Sequence, residues 1–159
     1  MRVPIMGNSG SGKSWKAREL AAQHQLHHLD LDTIVWEPRL IAVARPRDQV
    51  LTDLSIFAQS NANWVIEGCY GDFVEALLPH CTELLFMNPG KDVCLANNGK
   101  RPWEAHKYKS KEKQDSMLAL LLDWVQKFYE RDDTCSYSYH RRLIVGFNGD
   151  KREITGNQM

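Results

Sequence analysis

Three absences narrow the reading before any motif is considered. The four cysteines (Cys69, Cys81, Cys94, Cys135) show no C-x-x-C spacing, so a zinc ribbon or disulfide frame is not expected and the thiols read as reduced. The six histidines likewise lack the spacing of metal ligands. Neither sign of charge is in excess, with 20 basic and 20 acidic residues, which removes the global field that draws proteins to nucleic acid or anionic membrane. No apolar run reaches membrane-spanning length and the first residues carry no signal-peptide pattern, so a cytoplasmic protein with no membrane partner is expected. Internal repeats and low-complexity linkers are also missing, and 159 residues suit one domain over 1–159.

What is present begins at residue 7. The stretch "GNSGSGKSW" fits G-x-x-x-x-G-K-S/T, with Gly7, Gly12, Lys13 and Ser14 at the fixed places. A phosphate needs several converging backbone N–H donors, and glycine lets the chain bend around an anion that tightly. Gly7, Asn8, Ser9, Gly10, Ser11, Gly12, Lys13, Ser14 and Trp15 are therefore the candidate nucleotide-binding residues. In that reading Lys13 reaches the β- and γ-phosphates of ATP, and the Ser14 hydroxyl suits Mg²⁺. The run "RVPIM" before the loop reads as a strand and "KSWKARELAAQH" after it as a helix, so the helix N-terminus would face the phosphates. Pro4 removes a ladder donor, and a distorted or short strand is expected there. Trp15 is expected to offer its backbone N–H to phosphate and to pack its indole in the core.

Apolar runs alternate with helical patterns through the chain, which predicts an α/β fold with a parallel sheet covered by helices on both faces. Strands are expected near 2–7, 27–31, 63–67, 83–88 and 151–155. Helices are expected near 13–24, 47–60, 72–79, 91–98, 111–131 and 134–147. In the fifth of these helices, Leu118, Leu121, Leu122, Val125, Phe128 and Tyr129 form one apolar stripe, predicted to be core.

Two segments carry carboxylates at strand ends. In "HHLDLDTIVWEP", Asp30 and Asp32 alternate on a strand and so face the same side, at the sheet end where ligands sit in open α/β folds. One is suited to fixing the waters of Mg²⁺ and the other to orienting an acceptor hydroxyl; the alternative is that both cap the segment opening at Thr33. In "NWVIEGCYGD", Glu67 ends a buried strand, placed for a magnesium-water or substrate contact or for pairing with a nearby base. Gly68 and Gly71 would let a substrate approach the backbone.

Together the segments GNSGSGKS, LDLDTIVWEP, WVIEGCYGD, RPWEAHKY and LLDWVQKFYERDD resemble the nucleoside-monophosphate-kinase-like P-loop proteins, in particular shikimate-kinase-like members and the small bacterial group labelled "DNA topology modulation". The resemblance implies a three-layer P-loop fold with a five-stranded parallel sheet in order 2-3-1-4-5 and a helical lid. It also implies that Asp30 assists magnesium and Asp32 holds the acceptor hydroxyl, as in the D-x-D of shikimate kinases. The glycine triplet that those kinases carry after the third strand is absent; Glu67-Gly68-Cys69-Tyr70 stands there instead. Arg45 and Arg47 lie where such kinases place an arginine on the acceptor's anionic group, although a solvated arginine at a helix start fits equally well.

The lid of this superfamily falls on residues 97–113, "NNGKRPWEAHKYKSKEK", where six bases face Glu104 and Glu112. Arg101 is the candidate for the transferring phosphate, because a planar guanidinium grips phosphate oxygens bidentately. The catalytic set is then Lys13, Asp32 and Arg101, with Asp32, Arg47, Glu67 and Gly68 toward the substrate and Ser14 and Asp30 toward the metal. Phosphoryl transfer from ATP to a small-molecule hydroxyl or phosphate is the leading expectation. A nucleotide-binding regulator or nucleic-acid-associated protein is the alternative that the lysine run keeps open.

Overall fold

The structure, a computed structural model, describes residues 1–157. Its strands are β1 (Arg2–Gly7), β2 (His27–Asp30), β3 (Trp36–Glu37), β4 (Leu40–Ala44), β5 (Trp64–Gly68), β6 (Glu83–Met87) and β7 (Asp150–Ile154). Between them lie α1 (Lys13–His24), α2 (Asp32–Val35), α3 (Arg47–Ser60), α4 (Gly71–Leu77), α5 (Lys91–Gly99), α6 (Lys111–Gln126) and α7 (Tyr137–Gly146).

Five strands form an all-parallel sheet in spatial order β2-β5-β1-β6-β7. Counted along the chain within that sheet, this is the order 2-3-1-4-5. The chain leaves β1 toward β2 and β5 on one side and crosses to β6 and β7 on the other, so the loop after β1 opens at the point where the winding reverses. Pro4 does not break β1: it keeps register with Ile66 of β5, while the ladder to β6 begins only at Ile5. Below that start, Thr82 replaces the ladder, its N–H reaching the Arg2 carbonyl at 2.9 Å and its hydroxyl accepting from the Arg2 N–H at 2.8 Å.

Strand residues alternate between two buried faces, as a sheet covered on both sides requires. Val3 and Ile5 of β1 join Leu85 and Met87 of β6 against Ala17 and Leu20 of α1. Met6, Leu84 and Phe86 face the other way, onto Val74, Phe128, Leu143 and Ile144. Each fully buried side chain of this kind stabilises the fold by roughly 1.5–3 kcal/mol relative to exposure.

Two differences from the sequence expectation have physical causes. The stripe on α6 is not a core face: of its expected members only Val125 and Phe128 are buried, Leu118, Leu121 and Leu122 are half-buried, and Tyr129 is exposed. α6 packs on α5 rather than on the sheet, so its apolar side has a helix and not a sheet to cover it. The second difference is the ribbon β3–β4, an antiparallel pair outside the main sheet, whose connection holds Arg39 at φ 58°. Among the described residues no helix is long and apolar enough to cross a membrane.

Candidate functional site

The loop from β1 to α1 bends through Gly7 (φ 155°), Gly10 (φ 76°) and Gly12 (φ 93°). Close packing also demands that Gly7 and Gly10 be bare. A Cβ on Gly7 would lie 2.4 Å from the Met87 carbonyl oxygen, and one on Gly10 would lie 2.4 Å from the Cys94 carbonyl oxygen. The loop's shape is held by asparagines on both sides. The Asn8 side chain accepts from the Ser9 N–H at 2.9 Å and donates to the Val125 carbonyl at 3.0 Å. From α5, Asn97 donates to the Gly10 carbonyl at 2.9 Å, and Asn98 accepts from the Ser9 hydroxyl at 3.0 Å.

The N–H groups of Lys13, Ser14 and Trp15 open α1 without an acceptor among the described residues. Lys13 is 9% exposed, and the hydrogen bond of its ammonium is to a neutral carbonyl, that of Asn8, at 2.8 Å. A buried cation in contact with no carboxylate, though near enough to Glu67 to feel its charge, beside three free amides at a helix N-terminus, fits an anion of several charges such as a nucleotide's phosphates.

The carboxylates gather at the ends of β2 and β5, where Asp30 and Glu67 are register partners. Asp30 caps the turn into α2: its Oδ1 accepts from the Asp32 N–H at 2.9 Å, and its carbonyl accepts from the Thr33 hydroxyl at 2.6 Å. The cap expected of Asp30 is thus present. Burial, then the charges of Glu67 and Asp32, raise the Asp30 pKa to about 6. Glu67 is 2% exposed, with His28 Nε2 at 3.9 Å. Burial would raise its pKa, but His28, Lys13 and Ser14 outweigh it and hold Glu67 below the usual range. Its Oε1 has no hydrogen-bond partner among the described residues.

Asp32 sits one turn further, on α2, where Tyr70 donates its hydroxyl to Oδ1. Its Oδ2 lies 2.7 Å from Lys107 Nζ, which also stands 3.4 Å from Asp30 and 3.3 Å from Glu104. Burial acts to raise the Asp32 pKa, and Lys107 with Tyr70 outweighs it, so Asp32 stays ionised. Lys107 is itself buried; the three carboxylates outweigh that burial and keep its ammonium charged. Beside Asp32 opens a cavity of about 190 Å³ lined by Trp36, Glu37, Arg39, His106 and Lys107. Roomier hollows exist, such as one of about 470 Å³ between α3 and α4, but no carboxylate lines it.

Residues 100–110 run between α5 and α6 without a helix, inside the expected span 97–113, and touch both parts of the site. Arg101 donates to the Ser9 hydroxyl at 3.2 Å and pairs with Glu104 at 3.2 Å. Lys107 closes over Asp30 and Asp32, and Tyr108 forms a bridge to Leu40 of β4. The structure thus brings Lys13, Ser14, Asp30, Asp32, Glu67 and Arg101 to one end of the sheet.

Other expected residues stand elsewhere or for other reasons. Trp15 does not pack in the core: its side chain is on the outer side of α1 and is 39% exposed. Lys13, Ala17 and Leu20 occupy the buried side of that helix, and Trp15 falls roughly opposite them at 100° per residue. Arg47 pairs with Asp72 at 3.2 Å, lies over the Phe73 ring and does not line the cavity beside Asp32. Arg45 is drawn to Asp53 at 2.8 Å. Gly68 and Gly71 are bare because the protein packs on itself. A Cβ on Gly68 would meet Leu31 at 2.8 Å, and one on Gly71 would meet the Tyr139 ring at 2.4 Å.

Sequence reasoning missed Lys107, Glu104, Tyr70, Asn97 and Asn98. Lys107 was hidden in a run of lysines whose other members are exposed. Only Asn97-Asn98, two polar residues before a helix-ending glycine, carried a local signal.

Neither a protein-family model nor a curated protein matches the chain. Solved structures do share its architecture. A sugar kinase from Janibacter sp. is 15% identical with a TM-score of 0.51, over 96% of this chain and 83% of that one. A gluconokinase from Sinorhizobium meliloti is 15% identical with a TM-score of 0.53, over 96% of this chain and 82% of that one. The chain has the P-loop kinase fold.

Proposed function

We propose that the chain transfers the γ-phosphoryl group of ATP to a hydroxyl of a small molecule. One observation carries this reading: the unpartnered donors of the phosphate loop and the Asp32 carboxylate face the same end of the sheet, with a cavity on the far side of Asp32. Binding and acceptor activation would then lie side by side, which is what phosphoryl transfer needs from a protein.

Lys13 and the amides of Lys13, Ser14 and Trp15 would hold the phosphates. Ser14 and Asp30 would hold Mg²⁺, Asp30 through water. The described residues hold no cluster of three or more His, Cys, Asp or Glu suited to a metal by itself, which fits an ion that arrives with the nucleotide. When bound, Mg²⁺ neutralises phosphate charge and fixes the phosphates' geometry. Asp32 would accept the hydroxyl's hydrogen bond and direct its oxygen at phosphorus. Glu67, buried and with an oxygen free, would order a metal-bound water. Arg101, already on Ser9 of the loop, would meet the charge that moves with the phosphoryl group. Residues 100–110 then act as the lid.

The choice of hydroxyl over phosphate as acceptor rests on charge. Asp32 and Glu37 line the cavity with Lys107 and Arg39, and Asp30 and Glu104 already occupy Lys107, a poor setting for a second anionic phosphate. The two structural neighbours, a sugar kinase and a gluconokinase by name, agree with a hydroxyl acceptor. ADP release should be followed over polyols, aldoses and aldonates, with AMP as the phosphate acceptor. Turnover of a hydroxyl compound is expected. Turnover of AMP alone, or DNA binding that ATP does not affect, would remove this reading.

A further inference from the structure

The two cations that residues 100–110 bring to the site share one carboxylate. Glu104 Oε1 lies 3.3 Å from Lys107 Nζ, and Glu104 Oε2 lies 3.2 Å from Arg101 Nη1. Outward from this centre, Lys107 reaches Asp32 at 2.7 Å, and Arg101 reaches the Ser9 hydroxyl at 3.2 Å. We propose that Asp32, Lys107, Glu104, Arg101 and Ser9 form one relay that couples the acceptor end of the site to the phosphate loop, with Lys107 and Glu104 as positioning residues that set where Arg101 stands.

Alternating charge makes the relay mutually supporting, and its burial keeps it from being screened. The side chains of Lys107, Glu104 and Arg101 are 7%, 16% and 25% exposed. Charges this far from bulk water feel one another more strongly than a surface pair does. The centre of the relay is also fixed to the body of the protein. The Glu104 N–H donates to the Gln114 side chain of α6 at 2.9 Å, and Gln114 donates back to the Pro102 carbonyl at 2.9 Å. The ends can therefore shift while the middle stays.

The direction of coupling follows from sharing. With Lys107 present, Glu104 divides its charge between two cations, and Arg101 retains a donor for the loop. Without the Lys107 charge, Glu104 holds Arg101 alone and draws it from Ser9. A change at the acceptor end thus reaches the phosphates without touching them. Filling the acceptor cavity, which Lys107 lines, would act along the same route. The nucleotide arm of this proposal rests on the phosphoryl-transfer reading; the relay itself does not.

The test is a double-mutant cycle on the full chain, read by calorimetry with ATP–Mg²⁺. Lys107→Met is expected to weaken binding about fivefold, the low end of ordinary site-to-site coupling. Lys107→Arg, which keeps the charge, should restore most of it. In a Glu104→Gln background the same Lys107→Met change should have almost no effect, because the shared carboxylate is gone. An equal loss in both backgrounds overturns the relay. If the wild type binds no ATP, the nucleotide reading fails and amide exchange of the free protein decides the relay. Lys107→Met should then speed exchange at Ser9 and Ser11 in the loop, and only with Glu104 in place. Exchange that changes at Lys107 and Tyr108 alone overturns it. Should Lys107→Met not fold, Lys107→Gln, which also removes the charge, is read in the same way.

Discussion

At Asp32 two demands meet. On the proposed reading the carboxylate has to stay charged to orient a hydroxyl, and it has to do so while buried. Burial works against the charge, and the Lys107 ammonium at 2.7 Å with the Tyr70 hydroxyl reverses the balance. Asp32→Asn keeps the shape and loses the charge. Once an acceptor is in hand, kcat should fall by about 10²–10⁴, the usual loss for a general base, while calorimetric ATP affinity changes little. An unchanged kcat would take Asp32 out of the chemistry. His140 shows the opposite resolution. Its Nε2–H donates to the Cys69 carbonyl at 2.8 Å, and Nδ1 is buried without a partner among the described residues. Burial therefore keeps the ring neutral and lowers its pKa from 6.5 to about 4. Between those values the unfolded chain binds a proton that the folded chain refuses, so the fold loses stability as pH falls through that window. The loss approaches about 3 kcal/mol once both values are passed. Denaturant titrations from pH 7 to pH 4 should show this slope in the wild type and a flatter one in His140→Gln, whose amide can keep the bond to Cys69.

Elements, unlike residues, are decided by what covers them. Gly71 opens α4 beneath α7, where a Cβ would lie 2.4 Å from the Tyr139 ring and 2.5 Å from the Thr134 carbonyl oxygen. Gly71→Ala should therefore cost about 1–3 kcal/mol by overpacking, seen as a lower denaturation midpoint, and leave ATP affinity as it was. A variant of full stability with weakened substrate binding would return Gly71 to the site. The five sheet strands were readable because apolar runs between turn signals have few other uses, and "GNSGSGKS" was readable because its chemistry lies in local spacing. The ribbon β3–β4 was not, since "WEPRLIAVA" offers two strand residues, a proline and a short apolar run whose partner only the fold supplies. The α6 stripe misled for the same reason: period reveals which side is apolar, not whether a sheet or a single helix lies against it. Lys107 and Glu104 were illegible because each has meaning only beside a carboxylate or guanidinium brought in by folding.

For the molecule as a whole, the phosphate loop is a place where the fold is left incomplete. Three amides at the start of α1 have no acceptor among the described residues, and the buried Lys13 ammonium bonds a neutral carbonyl, next to the meeting of β1, β6 and α5. Like positive charge and unpaired donors held together oppose the folded state, and a bound polyphosphate removes that opposition. A ligand that binds only the native form raises stability by RT ln(1 + [L]/Kd), which is about 2.7 kcal/mol at a hundredfold excess over Kd. For a domain near this size that corresponds to a rise in Tm of about 5–10 °C. Saturating ATP–Mg²⁺ should produce a shift of this order in calorimetry or a dye-based melt. Lys13→Ala should melt close to the wild type without nucleotide, since the ammonium holds one neutral carbonyl and touches no carboxylate, and should lose most of the shift at the same nucleotide concentration. The two halves of the result separate the explanations. A Lys13→Ala protein that melts much lower on its own would make Lys13 a structural residue, and one that keeps the full shift would place the nucleotide away from this loop.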